Sequence, residues 1–178
     1  MMAERRTSFV FPPDAARKLA AIRELSYLNS EADLLKAAIS VYETLLGLTA
    51  GGWRVFVRDR QGREWAYSPY LRFTYPGIED RLASLGAPGP APMTGKSFFF
   101  SGDAVKRIEA IKRASYVSNN ADVVRACLSA YAELLTVEAA GDEIVARYRT
   151  GHEEPFSPHR PFVIPDLAVL ESPTASAA

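Results

Sequence analysis

Cysteine is almost missing from this chain. Cys127 stands alone, which excludes an internal disulfide and fits a reducing, cytoplasmic setting. Histidine is nearly as scarce, with only His152 and His159, so no metal centre built on Cys and His ligands is expected. Neither charge sign is in excess: Lys plus Arg and Asp plus Glu both number 21. That balance excludes a broadly polycationic binder but leaves room for a local basic face. No apolar run approaches the roughly 18 residues that a membrane span takes. The opening Met1-Met2-Ala3-Glu4-Arg5-Arg6 carries no apolar h-region, so no signal peptide is expected. Gly-rich phosphate loops, metal-ligand clusters and nucleophile-elbow patterns are also missing. No enzymatic activity, cofactor, membrane association or small-molecule ligand is expected.

What the chain does have is an internal repeat, the first thing to look for in any sequence. A constant offset of 89 positions matches residues without a gap from Ser8 to Pro76. The pairs include Ser8/Ser97, Phe9/Phe98, Phe11/Phe100, Ile22/Ile111, Tyr27/Tyr116, Asp33/Asp122 and Tyr42/Tyr131. They continue through Leu45/Leu134, Arg58/Arg147, Glu64/Glu153 and Pro76/Pro165. The chain is a tandem duplication of one unit.

Each copy opens with a short β-prone run, 7–11 and 97–100, whose period-two alternation puts Phe9 with Phe11 and Phe98 with Phe100 on one core-facing side. A first helix runs to about Ser26 or Ser115, with the apolar stripe Leu19, Ile22, Leu25 or Val105, Ile108, Ile111. The second helix has the sharpest start signal. Ser30 and Asn119 are N-caps, and Asp33 and Asp122 follow three residues later, in the manner of a capping box. Its stripe is Leu34, Leu35, Ala38, Ile39, Tyr42, Leu45 and Leu46, matched by Val123, Val124, Cys127, Leu128, Tyr131, Leu134 and Leu135. At the position of Ala38, Cys127 reads as a small buried hydrophobe. Gly51-Gly52 and Gly141 end these helices, and a hairpin closes each copy, weakened in the second by Pro155. The expected division is repeat one at 6–77, a Pro/Gly-rich linker at 78–96, repeat two at 97–166 and a flexible tail at 167–178. Both repeats together form one compact domain.

The run Arg6-Thr7-Ser8-Phe9-Val10-Phe11-Pro12, followed by a helix and a capped second helix, resembles the ribbon-helix-helix family. The resemblance covers Arg6 to about Leu46 and again Lys96 to about Leu135. One strand and two helices are too small to bury both apolar faces. Members of that family solve this by dimerising, with paired strands over four helices. The resemblance therefore implies an α+β, mainly α fold: a single-chain pseudodimer with a two-stranded antiparallel ribbon and a hairpin appended to each repeat. It also implies sequence-specific binding of double-stranded DNA, the ribbon reading base edges in the major groove. Carried over position by position, the base-contacting residues are Arg6, Ser8, Val10, Ser97 and Phe99. The phosphate-contacting residues are Asn29, Ser30, Lys96, Ser118, Asn119 and Asn120.

The chain departs from the family pattern at several of these positions. Val10 and Phe99 are apolar where a polar or basic reader is usual, Gly95 stands opposite Arg6 in the repeat, and Glu31 stands opposite Asn120. The expectation is a cytoplasmic, nucleoid-associated transcriptional repressor or plasmid-type accessory factor, with an asymmetric site and self-association of pseudodimers. The alternative is a ribbon-helix-helix scaffold that binds protein and not DNA, with Val10 and Phe99 in an apolar patch.

Overall fold

The computed structural model describes residues 5–11, 13–85 and 94–165, with side chains described over 18–85 and 101–165. Copy one runs β1 (Arg5–Phe11), α1 (Pro13–Leu25), α2 (Glu31–Ala50), β2 (Trp53–Arg58) and β3 (Glu64–Tyr67). A short helix, α3 (Ile78–Ser84), follows. Copy two runs β4 (Thr94–Phe100), α4 (Gly102–Ser115), α5 (Asn120–Ala139), β5 (Glu143–Tyr148) and β6 (Glu153–Phe156). The fold is α+β. Among the described residues, no helix is long and apolar enough to cross a membrane.

The helix boundaries follow from local chemistry. The Ser30 hydroxyl accepts from the Asp33 N–H at 3.1 Å, and the Asn119 side chain accepts from Asp122 N–H at 2.9 Å. Each satisfies a backbone donor that the first turn leaves orphaned. The acid does not reach back to the cap backbone as a capping-box Glu does. Its shorter carboxylate accepts from the cap side chain, at 2.6 Å from Ser30 and 2.5 Å from Asn119.

The far end of α1 closes less conventionally. Leu28 N–H donates to Arg23 C=O and Tyr27 N–H to Glu24 C=O, the bond pattern of a Schellman motif. Its left-handed position is held by Tyr27 at φ 56°, and the repeat mate Tyr116 sits at φ 57°. Glycine is the ordinary occupant there, and a side chain in that region costs about 1–2 kcal/mol. Both rings are exposed, at 87% and 94%, so packing offsets little of this strain. Tyr27→Gly and Tyr116→Gly should each raise stability in urea by up to about 1 kcal/mol, the strain relieved less the entropy glycine brings to the unfolded chain.

Helices α2 and α5 pack on one another at the centre, with α1 and α4 against them. All fourteen stripe positions expected on the second helices are buried, and Leu34, Leu45, Val123 and Leu134 are fully so. Leu19, Ile22, Ile108 and Ile111 are buried beneath them, with Leu25 and Val105 partly buried at the edge. The core also takes Val41, Leu48, Ala130 and Val137, outside the stripe, because the second sheet covers the helices from another side.

β1 and β4 pair antiparallel in a two-stranded sheet, with Ser8 opposite its own repeat mate Ser97. The other four strands form one antiparallel sheet in the order β3-β2-β5-β6, with Phe56 opposite its repeat mate Val145. Both ladders are therefore centred on a repeat pair, and one approximate twofold axis relates the copies through both.

Two sequence expectations are corrected here. The hairpins are not separate appendages; β2 and β5 join them into a single sheet shared by both copies. Pro155 fits because β6 is an edge strand, where a missing N–H costs no ladder bond. The linker expected at 78–96 is shorter at both ends. Ile78–Ser84 is helical and anchored by buried Ile78, and β4 begins at Thr94. The Pro/Gly stretch at 86–92 and the tail at 167–178 lie outside the described residues.

Candidate nucleic-acid interface

The ribbon register fixes which expected readers share a face. Arg6 pairs with Phe99, Ser8 with Ser97 and Val10 with Gly95. Directly opposed residues in an antiparallel ladder lie on the same side, so Arg6, Ser8, Val10, Ser97 and Phe99 form one row across the ribbon. Lys96 pairs with Phe9 and belongs to the other face, apart from that row. The side chains of these six residues, and of Phe11, Phe98 and Phe100, lie outside the described part of the structure.

The expected phosphate contacts gather at the N-termini of α2 and α5. Asn29, Ser118 and Asn119 are exposed, while Ser30 and Asn120 are half-buried. The caps are already occupied by Asp33 and Asp122, which bring negative charge to a helix end that would otherwise favour anions. Each carboxylate also carries a basic neighbour one turn on, Lys36 at 3.7 Å and Arg125 at 2.5 Å. Lys36 and Arg125 are repeat mates, and their side chains are 73% and 70% exposed. Sequence reasoning missed this acid–base pair beside each cap, although both members repeat at the common offset. It also missed Tyr27 and Tyr116, which stand exposed just ahead of the two caps.

Several other basic residues among those described are engaged within the protein. Arg107 of α4 reaches across to α2, donating to Glu43 (2.8 Å from Nε) and to Ser40 at 2.9 Å. Lys112 pairs with Glu109 at 3.1 Å. On the hairpins, Arg60 donates to Ala140 C=O at 3.0 Å, Arg63 to Asp59 at 2.7 Å, and Arg54 lies over the Phe56 ring.

Arg58 and Arg147 close a ring with Glu64 and Glu153 on the outer face of the four-stranded sheet. Arg58 donates to Glu64 at 2.6 Å and to Glu153 at 2.9 Å, and Arg147 donates to both carboxylates in return. The Arg147 guanidinium lies 4.4 Å from the Phe56 ring centroid, roofing the apolar centre of the sheet. All four are repeat mates, so the twofold axis makes the ring self-complementary. These arginines therefore tie the two hairpins together across the shared sheet.

The Arg147 bonds hold the Glu64 carboxyl below the usual glutamate range, and the Arg58 bonds do the same for Glu153. A depressed carboxylate stabilises the fold above its unfolded value of about 4.3 and loses that contribution as pH falls through its lower folded value. Acid titration of stability should therefore be shallower below about pH 4.3 in a Glu64→Gln/Glu153→Gln double variant than in the parent, as read by urea midpoints.

His152 contacts Glu154 at 2.8 Å and His159 contacts Glu138 at 3.1 Å. No group of three or more His, Cys, Asp or Glu able to hold a metal is present among the described residues. Burial pushes the Cys127 thiol up to about 12, so it stays protonated and inert at neutral pH. Comparison with protein-family profiles, curated proteins and solved structures finds no match to this chain.

Proposed function

We propose that the chain is a single-chain ribbon-helix-helix pseudodimer that binds double-stranded DNA sequence-specifically, as a transcriptional regulator or plasmid-type accessory factor. One observation carries this reading: β1 and β4 pair antiparallel about Ser8 and Ser97, putting Arg6, Ser8, Val10, Ser97 and Phe99 in one row. A two-stranded ribbon has the width to enter the major groove, and alternate residues on one face are spaced to meet base edges. The four helices α1, α2, α4 and α5 pack on one another in the manner of a symmetric dimer, with α1 next to β1 and α4 next to β4, the second protomer being supplied in cis. The row is unequal about its axis. Arg6 is paired with Phe99, and its repeat mate is Gly95, so the preferred site is asymmetric. Phe99 and Val10 meet thymine methyl groups there, the one base-edge feature that suits an apolar side chain. Pseudodimers side by side on adjacent sites gain affinity by avidity.

Selection from randomised duplex DNA by the purified chain, at two salt concentrations, tests this. The expected outcome is an enriched asymmetric motif, with affinity falling by about 0.9 log unit per log unit of salt for each phosphate contacted. No enrichment and no salt dependence would leave the protein-binding scaffold as the reading.

A further inference from the structure

The twofold axis makes one end of the sheet a control for the other. At one end the β2–β5 ladder finishes on Trp53 opposite Tyr148, both buried, with ring centroids 5.2 Å apart. Aromatic packing fills that corner. The repeat mates of these two residues are Asp142 and Asp59, one step beyond the Arg58–Glu143 pair at the opposite end of the ladder. There the aromatic plug is replaced by two carboxylates, each with a side chain only 8% exposed, beside an open polar cavity of about 300 Å³.

Three guanidiniums line that cavity with the two carboxylates, leaving one positive charge in excess. Arg63 is committed to Asp59 and to Gln61. Arg60 spends one donor on Ala140 C=O and lies across Gly141, where φ is +77° and a Cβ would collide with its guanidinium. Arg81 has a buried Nη1 that makes no hydrogen bond; the nearest carboxylate oxygen, of Asp142, is 3.6 Å away and also accepts from the Tyr75 hydroxyl. That leaves one guanidinium nitrogen of a half-exposed, ion-paired arginine with a hydrogen bond to give. The cavity wall is completed by the Trp65 and Tyr75 rings, edge to face at 5.1 Å.

Copy two keeps none of this except an arginine at the position of Arg60. Arg63, Trp65 and Tyr75 correspond to His152, Glu154 and Ile164. There the buried rings of Trp53 and Tyr148 fill the matching corner, so the shared scaffold does not itself require the charged set of copy one.

We propose that this cavity binds a small anionic molecule through a carboxylate or phosphate group. The oxyanion is received by Arg81 and Arg60, and a compact body rests against Trp65 and Tyr75. Guanidinium forks match both oxyanion geometries, and the volume sits at the lower end of small-molecule pockets. The site is independent of the ribbon and of whether it reads DNA.

Titration of the full chain with inorganic phosphate and, separately, with citrate tests it, followed by calorimetry and tryptophan emission against sodium chloride at matched ionic strength. Saturable binding of one anion per chain is expected, with a change in tryptophan emission that saturates in parallel with the heat. Binding of phosphate alone assigns a phosphorylated ligand, and binding of citrate alone a carboxylate. Arg81→Gln should weaken binding at least about tenfold, the loss of one charge-assisted hydrogen bond, and Arg149→Gln in copy two should leave it unchanged. Should Arg81→Gln fail to fold by circular dichroism, Arg60→Gln carries the same expectation. The site is overturned if neither anion binds above the chloride control, or if the folded arginine variant binds like the parent.

Discussion

Arg6→Ala and Ser8→Ala should each weaken binding to the selected duplex by about 1–3 kcal/mol, roughly 5- to 150-fold, while leaving binding to scrambled duplex nearly unchanged. The register places both residues in the row centred on Ser8 and Ser97. A side chain that hydrogen-bonds a base edge discriminates among sequences, whereas one that meets phosphate weakens all sequences alike. Fluorescence anisotropy on the two duplexes separates these cases. Because Arg6 has Gly95 as its repeat mate, its loss should relax preference in one half-site only. Equal loss on both duplexes would move Arg6 to the phosphate class, and no loss on either would remove the ribbon from the interface.

Leu45→Ala and Leu134→Ala should each lower unfolding free energy by about 2–5 kcal/mol. Both side chains are fully buried where α2 meets α5, and deletion leaves a cavity that packed neighbours close only in part. These are repeat mates in a shared core, tied further by the β2–β5 ladder. The two copies should therefore unfold as one unit, and either substitution should shift a single urea transition seen alike by tryptophan emission and by circular dichroism. Two transitions, with each substitution moving only its own copy, would show that the copies fold separately.

The helices were legible because their information is local and written twice. The stripe from Leu34 to Leu46 recurs from Val123 to Leu135, and the caps Ser30 and Asn119 stand where hydrogen-bonding chemistry requires them. The joining of the hairpins was not legible, since β2 meets β5 across a long sequence separation and no periodicity reports such a partner. A trace of it existed in the Arg58/Arg147 and Glu64/Glu153 pairs, whose charges close the ring only when both copies share one sheet. Helix α3 was hidden by its shortness and by the prolines and glycines that follow it. The left-handed Tyr27 and Tyr116 were hidden because glycine or asparagine is the usual signal for that conformation.

At the candidate interface, alternation groups Arg6, Ser8 and Val10 within one strand and Ser97 and Phe99 within the other, and the register then joins the two groups in one row. The place of Lys96 was not legible, because the length of β4 decides its face, and β4 begins at Thr94 and not at Ser97. The anion cavity left a signal of the opposite kind. Asp59, Arg63, Trp65 and Asp142 are places where the repeat breaks, and a broken repeat marks a position that the common scaffold does not dictate.

Ribbon entry into the major groove is tested most directly by base analogues that alter one groove at a time. In the selected duplex, 7-deazaguanine removes the major-groove N7 acceptor, and inosine removes the minor-groove amino group of guanine. Loss of affinity with 7-deazaguanine at discrete positions, and little change with inosine, is the predicted result. Sensitivity to inosine alone, or indifference to both at every guanine of the motif, would contradict it.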